Sequence, residues 1–173
     1  MTSCGGLATR QLRRQAILGS MAAAISLLRG VNVGGHHKIR MEELRELYES
    51  LGLRPAQTYV QSGNVVFRTG ARDFTRLSKR IADAIEQRFG FRPGVILRTA
   101  ADLRAVIAAN PFASRRDLDP SRLLVQFLAS EPPADGRERI LRIESDAEQL
   151  HLEGRELYIS TPAAWLVRRF LGH

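Results

Sequence analysis

Arg29, Lys38 and Arg40 bracket a run containing Gly30, Asn32, Gly34 and Gly35. That is the combination in this chain best suited to holding an anion. Glycine lets the backbone approach a ligand closely, and amides at a helix start carry partial positive charge. Arg29 and Lys38 would supply full charge, Gly34 and Gly35 amides, and Asn32 orientation. His36 or His37 would add charge below about pH 6.5. The run lacks the Gly-Lys-Ser/Thr of a nucleotide P-loop and does not match G-x-G-x-x-G. The plainer alternative is that the glycines only let the chain turn between a strand and a helix.

A second polar cluster is Gln61, Ser62 and Asn64 around Gly63. Tight hairpins favour Gly and Asn because both tolerate positive φ, so turn chemistry accounts for these residues economically. If the turn lies beside the first loop, Gln61, Ser62 and Asn64 join the same ligand site. An enzyme would then use Tyr59, Gln61 and Ser62 next to the loop. No catalytic residue is assigned, because no G-x-S-x-G elbow occurs and Ser62 has no base visible in the sequence. Glu42, Glu43, Glu46 and Glu49 alternate with Arg45, and helical ion pairs explain them.

Metal and cofactor chemistry find little support. His36 and His37 would point to opposite faces of an extended segment, and His151 and His173 stand far apart in the chain. No H-E-x-x-H spacing occurs. Cys4 is the lone cysteine, which excludes an intrachain disulfide and a cysteine-based metal site. No metal and no cofactor are expected.

The elements that must position these groups follow from periodicity. Ala23–Leu28 is an apolar run suited to a buried strand. Met41, Leu44, Leu47, Tyr48 and Leu51 recur at helical spacing, and Gly52 supplies the left-handed stop. Thr58-Tyr59-Val60 and Val65-Val66-Phe67 read as a hairpin closed by a two-residue Ser62-Gly63 turn. Asp73 can cap a helix whose stripe is Phe74, Leu77, Ile81, Ile85 and Phe89, with Gly90 ending it. Val95-Ile96-Leu97 completes a β-α-β-β-α-β order, the ferredoxin-like arrangement. Thr99 and Asp102 form a loose capping box ahead of Leu103, Val106 and Ile107, and Asn110-Pro111 closes that helix. A strand at Leu123–Leu128, a helix at Arg137–Ile143 and a hairpin around Gly154 then repeat β-α-β-β. The hairpin QLHLEGRELYI can be laid against QTYVQSGNVVF.

Composition bounds the rest. The 173 residues, 44% hydrophobic, suit one globular unit or two small subdomains sharing a core. A net charge of +8 invites a nucleic-acid reading, but residues 1–20 carry +3 and residues 163–173 carry +2, leaving +3 on the body. Only Lys38 and Lys79 among the 26 basic residues are lysine, a skew that reads as coding bias before phosphate recognition. Arg13-Arg14 imitates a twin-arginine signal. The apolar run behind it leads straight into the loop without a cleavage site, so residues 1–20 are expected to be a disordered extension ahead of Met21. No charge-free membrane span occurs, and the cytoplasm is the expected location.

ISLLRGVNVGG, YVQSGNVVF, LRTAADL with NPF, and LLVQFL occur here in an order that resembles the bacterial family of domain of unknown function 1697. The resemblance covers about Met21 to Pro162 and implies two related α+β halves packed together, with no assigned activity. Members usually continue with a Gly-rich loop, a Ser-Lys pair and a Thr-Arg-Asn strand. Here the sequence is AAWLVRRFLGH, so residues 163–173 form an atypical tail. A missing last strand would expose a sheet edge.

The expected fold is therefore α+β: a two-layer ferredoxin-like βαββαβ unit over residues 21–98, then a related, incomplete βαββ unit over residues 99–162. The expected function is a small, basic, cytoplasmic binding protein taking an anion, a nucleotide or a nucleic-acid phosphate, at the Arg29–Lys38 loop. The alternatives are an enzyme of unknown reaction at the same loop and an interaction module acting through a sheet edge. No membrane partner is expected, and the oligomeric state is open.

Overall fold

A computed structural model describes residues 21–59, 61, 63–115, 118–142 and 148–161. The chain divides into two compact units, residues 1–103 and 104–173. The N-terminal extension and the atypical tail lie outside the described residues.

The first unit begins with β1 (Ala22–Arg29), followed by α1 (Met41–Ser50), the hairpin strands β2 (Ala56–Tyr59) and β3 (Asn64–Thr69), α2 (Phe74–Phe89) and β4 (Gly94–Thr99). The sheet order is β2-β3-β1-β4, antiparallel throughout. The two central strand partners β1 and β3 place alternate residues on the helix-covered face: Ala24, Ser26 and Leu28 of β1 are buried, as are Val65 and Phe67 of β3. Leu44, Leu47 and Tyr48 of α1 meet them together with Leu77, Ile81 and Ile85 of α2. Burying a side chain such as Ile81 or Ile85 contributes about 1.5–3 kcal/mol. This is the ferredoxin-like unit that the periodicity predicted.

Local signals set the helix ends. Asp73 accepts the Arg76 amide proton at 2.8 Å, and Gly90 closes α2 at φ 78°. Gly52 follows α1 at φ 78°. Thr99 and Asp102 form a reciprocal capping box: the Thr99 amide donates to Asp102 at 2.7 Å and the Asp102 amide to Thr99 at 3.0 Å. That box opens α3 (Ala100–Ala108), within which the division between the units falls.

The second unit holds β5 (Leu123–Phe127), α4 (Ala134–Leu141), β6 (Gln149–Glu153) and β7 (Glu156–Ser160), with a short 3-10 turn at Pro120–Arg122. Its sheet order is β5-β7-β6, the same relation that β1, β3 and β2 have in the first unit. The β6–β7 ladder closes at Glu153–Glu156 around a two-residue turn, Gly154-Arg155. Helix α4 starts three residues earlier than its apolar pattern predicted, because Pro133 in extended conformation can open a helix without needing an amide. Tyr158 is buried, and its hydroxyl donates to the Val106 carbonyl at 2.9 Å. Among the described residues no helix is long and apolar enough to cross a membrane.

Candidate functional site

The segment between β1 and α1 is a glycine-supported loop wound around one asparagine. Gly30, Gly34 and Gly35 have φ of 80°, 60° and 80°, and Asn32 itself sits at φ 56°. Asparagine tolerates that region because its short side chain can bond locally. Its amide group accepts the Ile39 amide proton at 2.8 Å and donates to the Ile39 carbonyl at 3.2 Å. It also donates to the Gln61 carbonyl at 2.9 Å. The loop is thereby tied across its own neck and to the β2–β3 turn.

The turn meets the loop on a second contact. A Cβ added at Gly63 would lie 3.1 Å from Val31, which is itself buried in the core. Among the described residues the ladder closes at Tyr59–Asn64, not at the Gln61–Asn64 pair that the expected two-residue Ser62-Gly63 turn requires; Val60 and Ser62 lie outside the described residues. The physical reason lies in these contacts. The Gln61 carbonyl serves Asn32 and Gly63 packs on Val31, so the turn is shaped by the loop beside it.

Where loop, turn and helix start converge there is a cleft of about 860 Å³, lined by Asn32, Gly35, Lys38, Ile39, Arg40, Met41, Glu42, Glu43 and Gln61. Helix α1 opens onto it without a side-chain cap: Arg40 is the N-cap residue and its side chain makes no capping bond. Amides of the first helical turn have no partner within the helix, so they favour negative charge. Lys38 and Arg40 are exposed and form no ion pair among the described residues, although Glu42 and Glu43 share the cleft.

The residues singled out in the sequence divide into three groups. Asn32, Gly35, Lys38 and Gln61 line the cleft, and the side chain of Asn32 is already engaged in holding the loop. Arg29, Gly34 and Asn64 do not line it: Arg29 lies at the end of β1 against Gly94, and Asn64 begins β3. Ser62 lies outside the described residues. His37 stacks on Phe91 at 4.2 Å between ring centres, with Nδ1 3.1 Å from the Gly30 carbonyl oxygen, so it buttresses the loop. Among the described residues no three His, Cys, Asp or Glu side chains gather closely enough to hold a metal ion.

Met41, Glu42 and Glu43 are lining residues that the spacing argument placed on a helix without connecting them to the loop, and Ile39, just ahead of that helix, lines the cleft as well. Their signal was positional: the first turn of a helix after a glycine-rich loop faces whatever the loop encloses. Below the cleft, Tyr48 of α1 donates to Ser26 at 2.8 Å across the interior. Burial pushes its phenol above the usual tyrosine range.

No curated protein matches the chain. A solved structure described as a conserved bacterial protein from Streptococcus pneumoniae is similar, at 24% sequence identity and a TM-score of 0.69. The match covers 86% of this chain and 82% of the other. At that identity the likeness speaks for the fold alone. The family described as Protein of unknown function (DUF1697) matches residues 21–158. With that match spanning both units, the chain belongs to the DUF1697 family.

Proposed function

We propose that the chain is a binding protein whose cleft at the start of α1 takes a small ligand carrying both a phosphate-type anion and hydroxyl groups, a sugar phosphate or a nucleotide. The observation that carries this reading is the helix start without a side-chain cap, opening between the exposed cations Lys38 and Arg40. Cations and helix amides together suit a phosphate. Glu42, Glu43 and Gln61 on the same wall suit the hydroxyls, which can donate to carboxylate and amide oxygens. Arg40 takes the charged role expected of Arg29, since Arg29 does not line the cleft.

The test is a thermal-shift titration of the full chain with sugar phosphates, nucleotides and the matching uncharged nucleosides. A ligand selective for the native state raises the melting temperature, by about 2.7 kcal/mol of stabilisation at a hundred times its Kd. The expected result is a saturable rise for a phosphorylated ligand, none for its nucleoside, and loss of the rise in Lys38→Ala/Arg40→Ala. A melting temperature that no phosphorylated ligand moves, or an undiminished rise in the double variant, overturns the reading.

A further inference from the structure

The end of the first sheet opposite the cleft has another electrostatic character. Ala22 pairs with Thr69 and Arg29 with Gly94. The start of β1, the end of β3 and the turn into α2 therefore lie at one end of the sheet, and the 30–40 loop lies at the other. Five arginines gather at the end away from the loop: Arg54 after α1, Arg68 in β3, Arg72 in the turn, and Arg76 and Arg80 in α2. Arg72, Arg76 and Arg80 line a cleft of about 470 Å³.

Asp73 lines the same cleft, but its carboxylate is engaged in capping α2. Among the described residues none of the five forms an ion pair, whereas Arg88, Arg92, Arg122 and Arg142 each do. Three of the five are instead held by main-chain carbonyls: Arg54 donates to Glu49 at 2.9 Å, Arg68 to Met21 at 3.4 Å and Arg80 to Leu51 at 3.1 Å. Arg76 also stands against the helix dipole, in a first turn that holds no acid. Native-state stability gives no reason for that placement. The helix amide itself is not on offer, because Asp73 already accepts the Arg76 N–H. The side chains are the recognition groups.

We infer that this arginine-rich end is a contact surface for the phosphate backbone of nucleic acid. Guanidinium forks bind phosphate oxygens in pairs. Arg76 and Arg80 stand one helical turn apart, about 6 Å along the axis, and Arg72 and Arg54 extend the array onto the turns beside the helices, while Arg68 lies on the other face of the sheet. An array of that breadth matches a chain of phosphates better than one phosphoryl group. No aromatic side chain lines the cleft, so contact is to the backbone, without base stacking or sequence choice.

Fluorescence anisotropy of a labelled duplex DNA of arbitrary sequence, titrated with the full chain over a range of salt, tests the inference. The Arg72→Gln/Arg76→Gln variant is compared with Arg45→Gln/Arg139→Gln, which removes equal charge away from this end. The expected result is salt-dependent binding that weakens about tenfold in the first variant and within about twofold in the second. The slope of log affinity against log salt should flatten by about two in the first variant only. Equal losses in the two variants overturn the inference, as does an absence of salt-dependent binding by the parent chain. So does competition by inorganic triphosphate that matches unlabelled DNA at equal phosphate concentration, which would mark a small-anion site. A loss as large in Lys38→Ala/Arg40→Ala would also overturn it, by moving the contact to the other end of the sheet. Removing cations from the positive end of a helix is expected to leave the melting temperature unchanged or raised. Should the double variant melt lower, Arg72→Gln alone, outside the helix, is expected to flatten the slope by about one.

Discussion

Tyr48 heads the fully buried side chains by volume, and the structure gives its hydroxyl one partner, Ser26, itself completely buried. Removing one member of such a pair leaves the other without a partner, which costs more than the net worth of the bond. Tyr48→Phe is therefore expected to lower unfolding free energy by about 1–2 kcal/mol, and Tyr48→Phe/Ser26→Ala by less than the sum of the single changes. Alkaline titration adds an independent readout. Burial raises the native pKa of Tyr48 above its unfolded value near 10, so its contribution to stability is fully present below about pH 10 and is lost as pH rises further. Tyr158 shifts in the same direction, through burial and then the nearby Glu156 and Glu153. Denaturant unfolding at about pH 8 and about pH 10.5 should show a steeper loss in the parent chain than in Tyr48→Phe. Equal losses would mean that Tyr48 ionises in the native state without resistance.

At the scale of elements, the loop after β1 and the β2–β3 turn act as one piece, and Gly63 is the joint. Its φ of 77° disfavours any side chain by about 1–2 kcal/mol. A methyl group there would also press on Val31 at 3.1 Å, with Leu28 close behind. Gly63→Ala should lower stability by about 2 kcal/mol or more and weaken any ligand of the cleft, because the contact that seats the turn on the loop is strained. Unchanged ligand affinity in that variant, at a temperature where it is folded, would show that the turn does not shape the cleft. Much at this scale was legible in the sequence. Asp73, Gly90, Gly52 and the Thr99–Asp102 box mark boundaries through local hydrogen bonding and backbone preference, which need no tertiary partner. The early close of the β2–β3 ladder at Tyr59–Asn64 was not legible, because Asn32, 29 positions away from Gln61, takes its carbonyl. The exclusion of Arg29 from the cleft was hidden for the same kind of reason: sequence proximity to a loop does not say which way a strand end faces. The arginine-rich end was the least visible, since Arg54, Arg68 and Arg72 are scattered until the strands pair.

At the scale of the whole molecule, the two units repeat one strand order with unequal interiors. In the first, both helices contribute to a core that runs from Ala24 to Leu97 through Leu44, Tyr48, Phe67, Ile81 and Ile85. In the second, Leu152, Leu157 and Tyr158 are buried on the sheet, but α4 carries no fully buried residue. Arg137 donates to the Leu152 carbonyl of β6 at 2.7 Å, and Arg142, the C-cap, pairs with Glu138 one turn earlier in the same helix. Exposed ion pairs contribute about 0–1 kcal/mol, less than a buried aliphatic side chain. Local opening is easiest where few apolar groups must be exposed. Native-state hydrogen exchange should therefore find the amides of α4 exchanging well ahead of those in α2, and the β6–β7 ladder less protected than β1–β3. Protection of α4 equal to that of α2 would show that the second unit draws stability from contacts other than its own helix packing. The order of opening also bears on function. The proposed ligand cleft and the arginine-rich end both belong to the well-packed unit, where backbone groups are held in register by a continuous core. A ligand or a nucleic acid bound there should slow exchange chiefly in β1, β3 and the two helices of that unit, leaving α4 and the β6–β7 ladder to exchange as before.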